Sequence, residues 1–162
     1  MIIRDYNEKD AAEVGLLIKE TYGDFNLGYL SPDERAPFLG PFYYAGDGDP
    51  AHQQLIGEMI RSQFVYLAEV EGTIAGILRG RMNRLGSLFV AKAFHRQGVA
   101  TGLVEHFEKT VRQKGGTVIR VASSLYAVPF YLKMGYKKST GVRNSWSFDG
   151  YGFPIQPMRK VL

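Results

Sequence analysis

Residues 88–103 combine the side-chain types and spacing most suited to chemistry in this chain. An apolar strand end, Leu88, Phe89 and Val90, crosses a short link and enters His95-Arg96-Gln97-Gly98-Val99-Ala100-Thr101, which opens a helix. A basic, glycine-containing turn between a strand and a helix start is a site for a phosphate group. The first amides of a helix have no internal partner, the helix dipole places partial positive charge there, and glycine lets the backbone approach a ligand.

The charge distribution agrees with an anionic ligand. Residues 1–71 hold five Lys/Arg against thirteen Asp/Glu, whereas residues 72–162 hold fifteen against three. Between Gly72 and Phe148 the only carboxylates are Glu105 and Glu108. A nucleic acid would need a Lys/Arg-rich run or an aromatic recognition box, and neither is present, so a small polyphosphate fits better. The chain has 162 residues, 45% of them hydrophobic, which suits one domain over 1–162 with a sizeable core. There is no cysteine, which excludes disulfides, thiolate metal sites and a cysteine nucleophile. No apolar run approaches the ~20 residues that span a bilayer, and the N-terminus becomes charged at once. A cytoplasmic enzyme or binding protein, with no membrane or nucleic-acid partner, is the expectation.

The elements that must position this turn follow from periodicity. Residues 1–4 read as a strand, and Asn7 with Asp10 caps a helix reaching about Thr21 through Ala11, Val14, Leu17 and Ile18. Residues 22–50 carry five glycines and four prolines among seven aromatics and resist a regular assignment, except that Ser31-Pro32 starts a short helix. Their aromatics, Phe25 and Tyr29 among them, either pack the loop onto the core or line an acceptor pocket. Residues 51–62 form a helix with Leu55, Met59 and Ile60 on one face. Strands follow at 64–70, 73–82 and 85–90, the last after a turn at Asn83-Arg84. The clearest helix, about 98–114, turns Ala100, Leu103, Val104, Phe107 and Val111 to one side and keeps Glu105, Glu108, Lys109 and Arg112 off it. After a strand at 117–122 come a short helix at 127–134 and three closing strands. The pattern predicts a mixed α/β (α+β) fold: a mostly antiparallel sheet of about six to seven strands with about four flanking helices.

Three segments together resemble the GNAT superfamily of acyl-coenzyme-A-dependent N-acyltransferases. His95-Arg96-Gln97-Gly98-Val99-Ala100 is similar to the family's [RQ]-x-x-G-x-[GA] pyrophosphate loop. Ser124 to Tyr131 is similar to its N-x-x-A-x-x-x-Y segment, and Tyr131 to Tyr136 to its Y-x-x-x-G-[FY]. His95 stands where the family usually has Arg or Gln, and Ser124 where Asn is common. Each motif alone is weak; the three in register around an amphipathic helix are a strong signal.

The resemblance implies that the sheet's central parallel strands splay apart and that acetyl-coenzyme A lies between them as acyl donor. Backbone groups of Leu88, Phe89 and Val90 would pair with the pantetheine arm and polarise the thioester carbonyl. Amides from Arg96 to Thr101 would hold the pyrophosphate, with Ser124 lending one hydrogen bond. Tyr131 would be the general acid that protonates the departing thiolate. Without cysteine, direct transfer to a primary amine in a ternary complex is expected rather than an acyl-enzyme. The base is sought among Glu20, Asp24, Glu69, Asp149 and ordered water, and the acidic N-terminal half suggests a cationic acceptor. His52, His95 and His106 have no spacing that pairs them as metal ligands. The competing reading is a non-catalytic acyl-coenzyme-A sensor on the same fold. A homodimer paired through the C-terminal strand is a further expectation.

Overall fold

The structure, a computed structural model, describes residues 1–162. Strand β1 (Ile2–Asp5) leads through a 3₁₀ turn at Glu8–Asp10 into α1 (Ala11–Thr21). Helices α2 (Pro32–Leu39) and α3 (Pro50–Ile60) follow. The three consecutive strands β2 (Phe64–Val70), β3 (Thr73–Arg81) and β4 (Arg84–Val90) are joined by tight turns. Helix α4 (Val99–Gln113) returns the chain to β5 (Val118–Ser124), after which α5 (Val128–Lys133) and three strands complete the fold. These last are β6 (Lys137–Lys138), β7 (Arg143–Ser147) and β8 (Gly150–Val161).

The eight strands form one sheet in the order β1-β2-β3-β4-β5-β8-β6, with β7 paired to β8. Every pairing is antiparallel except β4 with β5, which the α4 crossover makes parallel. The expected mixed, mostly antiparallel sheet is therefore present, with eight strands and five α-helices. No helix is long and apolar enough to cross a membrane.

Helix α4 covers one face of the sheet. Val99, Leu103, Val104, Phe107 and Val111 are fully buried there together with Leu78, Leu85 and Ile119. Each such side chain contributes about 1.5–3 kcal/mol of burial free energy. The helix lies close to β3 because two strand positions on that face have no side chain. A Cβ on Gly76 would sit 3.1 Å from Val99 and 3.2 Å from Leu103, and one on Gly80 would sit 2.6 Å from the Phe107 ring. The other face is covered by α1 and α3, whose Val14, Ile18, Ile56 and Ile60 meet Leu67 and Ile77.

Several expectations change. Residues 22–50 are more regular than their composition predicts: a π-type turn at Tyr22–Asn26, α2, and a 3₁₀ turn at Gly40–Tyr44. The Ser31 capping box and Pro32 at the first helical position do start α2. Leu55 is exposed, and α3 instead buries Ile56, Gly57 and Ile60. Glu108 is buried on the apolar side of α4, its Oε2 accepting from Lys160 Nζ at 2.7 Å. The partner lies 52 residues away on β8, beyond what helical periodicity can register.

The entry of the chain is fixed by charge. Arg4 donates from Nη1 and Nη2 to the two carboxylate oxygens of Asp10, at 2.8 and 3.0 Å, and from Nε to Glu69 on β2 at 2.8 Å. Asp10 also accepts from the Asn7 amide at 2.9 Å, closing the predicted capping box. The Arg4 guanidinium, assisted by that amide, holds the Asp10 carboxyl below the usual carboxylate range.

Two outcomes follow for stability. Asp10→Ala should lower the unfolding free energy by about 2–3 kcal/mol near neutral pH, the range of a charge-assisted buried hydrogen bond. The folded-state pKa is depressed, so this contribution is complete above the unfolded carboxylate value and lost as pH falls through the folded one. Urea titrations of both proteins should therefore converge in acid. Gly80→Ala should cost about 1–3 kcal/mol, because the new methyl meets the Phe107 ring in a closed core.

Candidate active site

The site originates in a pairing that stops early. Strands β4 and β5 are in register only at Arg84 with Arg120 and Leu85 with Val121. Immediately beyond, Gly86 is an extra residue on β4: Gly80 pairs Leu85 while Arg79 pairs Ser87. A bulge of this kind bends its strand and increases its twist. It carries residues 86–90 away from β5, leaving their edge polar groups without a ladder partner on that side.

The gap opens into a cavity of about 300 Å³ lined by Gly86, Ser87, Leu88 and Phe89 from β4 and by Val121 to Ser124 from β5. Ser124 ends β5, opposite Ile155 of β8. Tyr131 reaches the same cavity from α5. It is 4% exposed, its ring lies edge-on to Phe130 and Tyr136, and burial pushes its hydroxyl pKa well above the ordinary tyrosine value. Burial thus favours the protonated phenol at neutral pH.

The turn before α4 has the backbone that anion binding requires. Arg96 and Gly98 both have positive φ, 61° and 82°. No side chain caps the helix, and its first internal bond runs from the Gly102 amide to the Gly98 carbonyl. The amides of Val99, Ala100 and Thr101 are thus left to an external acceptor. A Cβ at Gly98 would meet nothing within 4 Å, so glycine is needed there for its dihedral angles alone. Gln97 stiffens the turn by donating to the Ala93 carbonyl at 2.8 Å.

The remaining residues singled out in the sequence divide by location. Val90 is buried beside α4 and outside the cavity; its carbonyl accepts from His95 Nε2 at 2.8 Å, which fixes that nitrogen as the protonated one. Phe25 packs on His95 at 4.7 Å between ring centres and on Tyr126 at 5.6 Å, so it spans the links that follow β4 and β5. Tyr29, Glu20 and Asp24 are exposed, and Glu69 is engaged by Arg4. None of these four lines the cavity, and neither does Asp149.

Of the wall on the α1 side, sequence reasoning singled out only Phe89, and that for its backbone; Tyr22 and Phe42 entered only as two of the aromatics of residues 22–50. Tyr22, Phe42, Phe89, Phe148 and Phe153 supply aromatic surface, with Asn26, Arg79, Ser87 and Ser147 among them. Ser147 Oγ donates to the Phe38 carbonyl at 2.9 Å, so Tyr22 must be the donor in its 2.5 Å contact with Ser147. Burial raises the Tyr22 hydroxyl to about 12. The only available signal was the density of aromatics in residues 22–50, of which Tyr22 and Phe42 face the cavity.

Comparison with known proteins agrees with this geometry. The chain matches the model of the acetyltransferase (GNAT) domain over residues 49–162. No protein of curated function matches it at the level of sequence. Among solved structures it is similar to the GCN5-related N-acetyltransferase from Rhodopseudomonas palustris, with a TM-score of 0.79 at 20% identity over 99% of this chain and 95% of that one. The PaiA N-acetyltransferase from Thermoplasma acidophilum, in complex with coenzyme A, gives 0.72 at 17% over 99% and 98%. The ribosomal-protein-alanine N-acetyltransferase from Brucella melitensis gives 0.64 at 16% over the whole of both chains. At these identities the likeness is one of fold, while the domain match covers more than half of the chain. A bulged β4, a splayed parallel pair and an uncapped glycine turn are thus the local features of a chain that belongs to the GNAT acetyltransferase family.

Proposed function

We propose that this protein transfers an acetyl group from acetyl-coenzyme A to the primary amine of a small acceptor, by direct attack in a ternary complex. The observation that carries the reading is the meeting of the unpaired β4 edge and the Tyr131 side chain in one cavity. An amide-bearing pantetheine arm suits a strand edge with free N–H and C=O groups. The diphosphate suits the Arg96–Thr101 turn, where three helix-start amides are unpartnered. Amides of β4 beside the thioester would stabilise the oxyanion as the amine attacks. The C–S bond then breaks, and Tyr131 protonates the departing thiolate.

No carboxylate or imidazole lines the cavity. In this reading the acceptor therefore enters as the free amine or loses its proton to water, and its own pKa governs the rate at low pH.

Tyr131→Phe should lower kcat about 10²- to 10⁴-fold while acetyl-coenzyme A still binds, measured by thiol release and by calorimetry. Unchanged turnover would remove Tyr131 from the chemistry, and binding with no turnover in the unaltered protein would favour a sensor. The rate should rise with pH and show no alkaline limb below about pH 10, because the raised Tyr131 pKa keeps the acid protonated. Gly98→Ala should weaken coenzyme A binding about 5- to 30-fold, the equivalent of about 1–2 kcal/mol for forcing an L-residue into the left-handed region.

A further inference from the structure

The acidic N-terminal half suggests a cationic acceptor, yet the cavity that would hold the acceptor contains no acidic side chain. Its one charged group is Arg79. This arginine sits on β3 directly opposite Ser87 of β4, so both project from the face of the sheet that α1 and α3 cover. Nε donates to the Ile60 carbonyl at 2.7 Å and Nη2 to the Arg61 carbonyl at 3.3 Å, at the C-terminal end of α3. Two of its five N–H groups are thereby used, and no carboxylate forms an ion pair with it.

Carbonyl oxygens and a helix end offset only part of a full positive charge. A half-buried guanidinium without a counter-ion is costly, and part of the cost is recovered when an anion binds. Burial and the neighbouring Arg81 both act against its charged form, which the absence of any acid leaves uncompensated. A second orphan lies beside it. Ser87 Oγ is buried and has no hydrogen-bond partner in the protein. A planar fork of N–H donors next to a hydroxyl donor matches the two oxygens of a carboxylate. The rest of the wall is aromatic: Tyr22, Phe42, Phe89, Phe148 and Phe153.

From this arrangement we infer that the acceptor is an amino acid with a large apolar side chain, its carboxylate held by Arg79 and Ser87 and its side chain on the aromatic wall. The inference rests on the acetyl-transfer reading above and names the substrate class for it. The amine nitrogen bonds to the acetyl carbon as the thioester C–S bond breaks. The thiolate takes a proton from Tyr131, the nitrogen releases one to water, and solvent returns a proton to Tyr131. The products are an N-acetyl amino acid and coenzyme A.

The test compares matched acceptors in the full-length protein with acetyl-coenzyme A: phenylalanine against phenethylamine, and leucine against isoamylamine. The amino acid of each pair should have kcat/KM about tenfold or more above its decarboxylated partner, mostly through KM, because a site built to bind a charged group discriminates strongly against its loss. Arg79→Lys should cut that preference about tenfold. Where Arg79→Lys folds poorly, Ser87→Ala provides the second probe and should cut the preference about threefold to tenfold, as expected for one hydrogen bond. Phenylalanine alone should also raise the melting temperature of the unaltered protein more than phenethylamine does. Acetylation of both members with equal kcat/KM overturns the acceptor assignment and leaves the transferase reading standing. An Arg79→Lys protein in which both members lose activity equally makes Arg79 a clamp on α3, and likewise overturns it. Absence of transfer to any amine defeats both readings together.

Discussion

The structure depends on a parallel pairing only two residues long. Had β4 and β5 continued in register past Leu85 and Val121, the sheet would be closed and the cavity filled. The extra residue at Gly86 prevents this by bending β4 where the crossover strand would otherwise follow it. A broken ladder in a sheet interior exposes backbone polar groups, which a stable fold tolerates only where water or a ligand satisfies them. The rest of the fold compensates for that local loss. Helix α4, seated on Gly76 and Gly80, ties β3 and β4 together on one face. The β5–β8 pairing, seven residues long, braces the other side of the gap.

The same break sets the chemistry on its two sides. Toward α4 and α5 lie the basic turn with its free amides and the buried Tyr131, suited to a polyphosphate donor and to proton delivery. Toward α1 and α3 lie the aromatic wall and the Arg79–Ser87 pair, suited to a small acceptor. Tyr22 bridges the segment after α1 to β7 through Ser147, whose own proton is committed to Phe38. The aromatic wall is thereby built from segments far apart in sequence, two of which a Tyr22–Ser147–Phe38 hydrogen-bonded chain ties together.

Much of the α4 side of the gap was legible in the sequence, because it is local. The α4 stripe, the Asn7 and Ser31 caps and the glycine-containing turn before α4 each obey a short-range rule, and each is where the rule puts it. The Arg79–Ser87 side was not legible, because it arises from register. Arg79 and Ser87 become neighbours through a cross-strand pair whose phase depends on the Gly86 bulge, and no spacing rule encodes a bulge. Glu108 reads as a solvated helix residue until Lys160 arrives from β8. In residues 22–50 the Ser31-Pro32 start of α2 was legible, while the glycine and proline content concealed the π-type turn at Tyr22–Asn26 and the 3₁₀ turn at Gly40–Tyr44.

The central claim is that a donor lies in the gap between β4 and β5 with its anionic end on the turn before α4. Backbone amide resonances followed through a titration with acetyl-coenzyme A test it most directly. Saturable shifts concentrated at residues 86–90, 96–101 and 122–124 are the predicted result. Shifts that fail to saturate, or that gather on the exposed lysines of β6 with the gap unperturbed, would contradict the account.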